Sequence, residues 1–128
     1  MKSRPLAPAN VAPAAANYAL AVATDQPTRW VHTSGIVPVR ADSSVPADLA
    51  DQAAVIWTTI GTLLRDAEMT PNDIVSVCTY VVPDADMAVV MAARDEFLGD
   101  HRAASTLVTV AALARPEWRM EIAVVAAA

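Results

Sequence analysis

The chain has 128 residues and a formal net charge of −5, with nine Lys and Arg against 14 Asp and Glu. That is enough for one hydrophobic core and too little for two, so residues 1–128 are expected to form a single domain. An acidic chain with no basic cluster is repelled by phosphate backbones, which argues against a nucleic-acid partner, and no apolar run approaches the roughly 20 residues of a membrane span.

The hydrophobic share is 55 %, carried by Ala and Val rather than aromatics. A small domain this apolar is expected to hide part of its surface against other copies. Residues 1–15 carry Lys2 and Arg4 ahead of an Ala/Pro stretch. Pro5, Pro8 and Pro13 interrupt any apolar leader core, so the segment reads as extended or irregular rather than as a secretory signal. Cys78 is the only cysteine, which excludes an internal disulfide and a cysteine-based metal site. Its place in the apolar run Ile74–Val82 suggests a buried small hydrophobe, and the expected compartment is the cytoplasm.

In chain order, Asn17–Thr24 and Arg29–Ser34 read as two strands joined across the polar turn Asp25–Thr28. Val39–Val45 is a polar connection. From Ala47 to Glu68, Leu49, Ala53, Ile56, Ile60, Leu63 and Leu64 recur at three- and four-residue steps and form one apolar stripe, the mark of an amphipathic helix. Ser44 or Asp48 can cap it. Thr70–Asp73 stops that helix, and the Val-rich run Ile74–Val82 reads as a strand buried on both faces. A second helix is expected over Ala85–Leu98, with Met87, Val90, Met91, Arg94, Phe97 and Leu98 on one face and Gly99 ending it. Ser105–Ala112 and Arg119–Ala126 read as closing strands with a turn at Ala114–Glu117.

The order β-β-α-β-α-β-β predicts an α+β fold, a two-layer sandwich of two helices on a sheet of about five strands. Helices cover one face of such a sheet. Strands apolar on both sides leave the other face unsatisfied, which predicts association through it.

Several segments, in register, resemble the reactive intermediate deaminase (Rid) superfamily: Asn17–Val22, Ser34–Pro38, Asp48–Gln52, Phe97–Gly99 with Ala103–Thr106, Ala111–Leu113, and Glu121–Ala126. The resemblance runs from about residue 7 to 126. It implies a chorismate-mutase-like fold assembled as a homotrimer, with a small-molecule ligand in clefts between subunits and no cofactor. It also implies hydrolysis of reactive enamines and imines, in which an arginine grips the substrate carboxylate and a glutamate positions water.

Carried over residue by residue, Tyr18 matches the cleft tyrosine of that family, and Ser34 and Gly35 match its cleft-lining turn. Ser105 stands where the arginine belongs, Leu107 where a cysteine does, Met91 where a helix asparagine does and Ala123 where the second glutamate does. Loss of a desolvated arginine–carboxylate pair costs about 3–5 kcal/mol. The expected cleft is therefore larger and more apolar, suited to something other than a simple imino acid.

Ser105 has no identifiable activating base. His101 and Arg102, in the loop before Ala103–Thr106, are candidates for an acid–base group and for a replacement anion contact. No His/carboxylate spacing suggests a metal. Four functions stay open at this point. One is a trimer that binds a small metabolite, with or without enzyme activity on a substrate other than simple imino acids. The others are a deaminase active without the arginine, a non-catalytic or chaperone-like trimer, and an endoribonuclease or translation inhibitor, which the acidic charge disfavours.

Overall fold

In the computed structural model, which describes residues 2–128, two helices cover one face of a four-stranded sheet and a two-stranded ribbon stands apart. The strands are β1 (Ser3–Leu6), β2 (Ala21–Thr24), β3 (Trp30–His32), β4 (Ile74–Val81), β5 (Ala104–Thr109) and β6 (Met120–Ala127). The helices are α1 (Leu49–Asp66) and α2 (Met87–Leu98). The main sheet has the order β3-β6-β4-β5, with β5 parallel to β4 and the other pairs antiparallel.

This is the expected α+β sandwich, but its strands pair differently. The segment read as extended or irregular is extended over Ser3–Leu6 and supplies β1, which pairs with β2 from Ser3↔Thr24 to Leu6↔Ala21. Proline in β1 is tolerated because it is an edge strand. β2 therefore leaves the main sheet, and no hairpin joins it to β3, which pairs with β6 instead. β5 and β6 are also not a hairpin, because β4 lies between them.

The α1 stripe forms the core as its spacing requires. Ala53, Ile56, Ile60 and Leu64 are fully buried, each large side chain contributing about 1.5–3 kcal/mol of burial. Asp48, not Ser44, caps the helix, accepting from Asp51 N. Asp86 caps α2 by accepting from Ala88 N at 3.0 Å. Gly99 ends α2 at φ 58°, a conformation glycine adopts without strain.

Along β6 the burial alternates. Met120, Ile122, Val124 and Ala126 lie under the helices, while Glu121, Ala123 and Val125 face the opposite side, half-buried. The register carries this alternation across the sheet, so that Val77, Thr79 and Val81 point to the helices and Ser76, Cys78 and Tyr80 point away. The strands expected to be buried on both faces are therefore sealed on one. Cys78 is half-buried on the open face rather than inside the core. Trp30 and Val108 are exposed there at 51 % and 41 %.

Candidate functional site

Position 105 and its neighbours sit on the edge strand β5. Ser105 pairs with Val77 and Leu107 with Thr79, so both lie on the helix-facing side. Leu107 packs against the core there. The segment around Ala19 runs beside the free edge of β5, where Ala19 N donates to Ala103 O at 2.9 Å. That contact sets Tyr18 at the same edge. Tyr18 and Arg102 line one groove of about 430 Å³, whose remaining wall is the apolar segment from Pro5 to Ala14 with Ala19 and Leu20. The Tyr18 hydroxyl accepts from Ala15 N at 3.3 Å.

Arg102 donates through Nη1 to Gly99 O at 2.8 Å and to His101 O at 3.2 Å. The guanidinium thereby ties down carbonyls at the C-terminus of α2, where a cation is favoured. His101, expected beside Arg102 at one cleft mouth, turns elsewhere. Its Nε2 lies 2.6 Å from Ile74 O, so Nε2 carries the proton and donates. The ring lines a separate groove with Lys2, Asp73 and Asp100 at the other end of the loop.

Ser34 and Gly35 occupy a second location. Thr33 N donates to Val124 O, and Ile36 and Ile122 exchange two hydrogen bonds. Ser34 and Gly35 therefore oppose the single residue Ala123, a two-against-one bulge of the kind that re-aims side chains beside sites. Both bulge residues are exposed. The carboxylate of Glu121 rests against Gly35 and makes no hydrogen bond or ion pair among the described residues. Glu121 and Ala123 share the open face of the sheet.

The sequence-predicted residues thus form two groups. Tyr18, Arg102, Ser105 and Leu107 lie at the β5 edge, while Met91 is half-buried on α2. Ser34, Gly35 and Ala123 gather at the β3 side, with Glu121. Three strand spacings of about 4.8 Å separate β3 from β5, and Ser105 and Ala123 lie on opposite faces. One small molecule cannot touch both groups of a single copy.

Sequence reasoning missed Arg94. It is 5 % exposed, in the middle of the buried stripe Val90, Arg94, Leu98. The signal was its place among the apolar residues on one face of α2. Among the described residues, no histidine or carboxylate is bonded to the Ser105 hydroxyl. Among the described residues no group of three or more His, Cys, Asp or Glu could hold a metal ion, and no helix is long and apolar enough to cross a membrane.

Comparison with known proteins agrees with this architecture. A family model described as Endoribonuclease L-PSP matches residues 9–128. The solved structure of YyfB from Yersinia pestis, described as a protein of unknown function of the conserved Rid family, superposes with a TM-score of 0.88 at 29 % identity, covering 100 % of both chains. NMB1025 from Neisseria meningitidis, described as a member of the YjgF family, gives 0.66 at 26 % identity over 86 % of each chain. TdcF of E. coli, solved with bound serine, gives 0.73 at 22 % identity over 98 % of each. Comparison with curated proteins gave no match.

Proposed function

The chain belongs to the Endoribonuclease L-PSP family, which holds the Rid and YjgF proteins, and from that premise we propose that it acts as a homotrimer binding a small metabolite in clefts between copies. The observation that carries this reading is the division of the candidate residues. Tyr18, Arg102, Ser105 and Leu107 lie at one edge of the sheet. Ser34, Gly35 and Ala123 lie toward the other edge, where Ala123 faces the opposite side. A site that uses both groups needs the β5 edge of one copy beside the bulge of the next. The open sheet face, with Trp30 and Val108 exposed, is the surface that would be covered, since monomers rarely leave such patches bare.

Met91 and Leu107 make the β5 half of the cleft apolar, and Ser105 brings no charge. The ligand favoured by that lining has a larger apolar body than 2-aminoacrylate. Turnover, if present, is a hydrolase-like reaction on such a molecule. RNA is disfavoured despite the family's description, because the net charge of −5 gives no counterion-release gain.

Sedimentation equilibrium at micromolar concentration tests the assembly: a trimer is expected, and a monomer would end the reading. Freshly generated 2-aminoacrylate should release ammonia no faster than it does in buffer. Robust deamination would show that the lining at positions 91, 105 and 107 does not set the substrate.

A further inference from the structure

The outer surface of the helix layer, turned away from the sheet, carries a groove of about 640 Å³ between α1 and α2. Its floor is Trp57 and Gly61 of α1 with Phe97 of α2. The two aromatic rings stack at 4.6 Å between centroids, and Trp57 is 4 % exposed, so the floor is closed and apolar. An exposed helix face is where a chain normally places its charges. Between Asp51 and Arg65, however, α1 exposes only Ala54, Thr58, Thr62 and Leu63. On α2 the exposed row that follows the groove is Ala88, Ala92 and Glu96.

Two charges of opposite sign line the groove without meeting. Arg65 folds back over it, with Nη1 3.8 Å from where a Cβ on Gly61 would stand, and Phe97 Cε1 is 3.4 Å from the same point. The Arg65 guanidinium donates through Nη2 to Thr62 Oγ1 at 3.2 Å. Glu96 precedes Phe97 and lines the same groove. The ion pairs among the described residues are Arg29–Glu68, Arg94–Asp95 and Arg119–Asp84. Arg65 and Glu96 thus stand at one level along the helices, one charge on each helix, and neither is in an ion pair.

The topology makes this arrangement self-complementary. β3 and β4 both run antiparallel to β6, and β5 runs parallel to β4. α1 joins β3 to β4 and α2 joins β4 to β5, so both helices return in the same direction. A twofold axis laid along the groove keeps that direction and exchanges the helices, setting α1 of one copy over α2 of the next. Arg65 then meets the partner's Glu96, and the symmetry makes the contact twice. The small rows oppose each other, which suits helix axes about 8–10 Å apart.

We propose that this groove is an interface between two copies of the chain, helix layer on helix layer, closed by two Arg65–Glu96 ion pairs. A wholly acidic or wholly basic partner would leave one of the two charges unmet, whereas a second copy satisfies both. The surface is separate from the open sheet face, so trimers joined through it form a hexamer, and single copies joined through it form a dimer.

Sedimentation equilibrium of the full chain at submillimolar concentration tests this. Wild type should sediment as six copies, or as two where the sheet face does not associate. Arg65→Glu and Glu96→Arg each create two like-charge contacts and should weaken the pairing at least about tenfold. The double variant exchanges the charges and should return to within about threefold of wild type, since the two positions are coupled. Ala54→Glu keeps a good helix former at an exposed position and should also separate the pair, with circular dichroism unchanged.

Monomers or trimers alone in wild type would overturn the proposal. So would a pairing that withstands both single reversals, or a double variant no better than the singles. Where circular dichroism shows a single reversal unfolded, Ala54→Glu decides, an undiminished pairing in that folded variant overturning the interface. The same masses separate the two readings: a wild-type dimer keeps this interface and ends the trimer, whereas a wild-type trimer does the reverse.

Discussion

The carboxylate of Glu121 lies directly on the backbone of Gly35: a Cβ at position 35 would stand 2.6 Å from Glu121 Cδ and overlap Oε2. Gly35 does not have a positive φ, so what the position requires is room rather than conformational freedom. The colliding atoms are the far end of a flexible side chain. Gly35→Ala should therefore turn Glu121 away at a cost of about 1 kcal/mol or less. The cost should vanish in a Glu121→Ala background, because residues in contact couple. Urea denaturation of the single and double variants measures this, and equal costs in both backgrounds would show that the contact is not made.

Gln52 predicts a much larger effect. The side chain is 1 % exposed, and its amide is fully used. Nε2 donates to Pro46 O at 2.9 Å and Glu117 O at 2.8 Å, while Oε1 accepts from Arg119 N at 3.0 Å. It thus fastens the first turn of α1 to the segment that leads into β6. Leucine would fill the space and leave three backbone groups without partners, each worth about 1–3 kcal/mol when buried. Gln52→Leu should lose about 3 kcal/mol or more by urea denaturation with the fold kept. A loss under 1 kcal/mol would mean that water replaces the amide.

The contrast between these residues shows what was readable from the chain alone. The α1 stripe and the glycine that ends α2 follow from the local sequence, and the helices formed where that pattern placed them. Strand pairing depends on which segments meet in space. Nothing in Asn17–Thr24 says that its partner is Ser3–Leu6 rather than Arg29–Ser34. For the same reason Cys78 looked like a core residue: an apolar run does not reveal which alternate positions face the helices. At the candidate site, Tyr18 and Arg102 do share a groove, but His101 is committed to Ile74 O. Arg94 was visible as a charge on an apolar face, and only its burial and the pairing with Asp95 mark it out.

Asp42 should titrate low. The Ser44 hydroxyl donates to its Oδ1 at 2.6 Å, Ser44 N donates to the same oxygen at 3.0 Å, and the Arg40 charge adds attraction. These hold the carboxyl below the ordinary aspartate range, the Ser44 side chain most of all. A pKa depressed in the folded state favours that state above the unfolded value, and the contribution is lost as pH falls through the folded one. Because the group is exposed, the visible consequence is its own titration rather than global stability. Carboxyl NMR should place its midpoint below the ordinary aspartate value, and Ser44→Ala should raise it. An unmoved midpoint in that variant would remove the hydroxyl as the cause.

Cys78 reports on the open sheet face. It lies between Ala123 of β6 and Thr106 of β5 in the register, half-buried when the chain stands alone. A single copy leaves that thiol reachable, whereas copies packed face to face over β4 and β6 would cover it. A thiol reagent should then modify wild-type protein slowly at micromolar concentration and faster on dilution, as mass action releases single copies. Val125→Glu places a charge on the same face, one that is costly to bury without a partner. It should dissociate the assembly and speed labelling severalfold without unfolding the chain, since Val125 points away from the helices. Fast labelling of wild type that is indifferent to concentration would mean that the face stays open, and the cleft between copies would go with it.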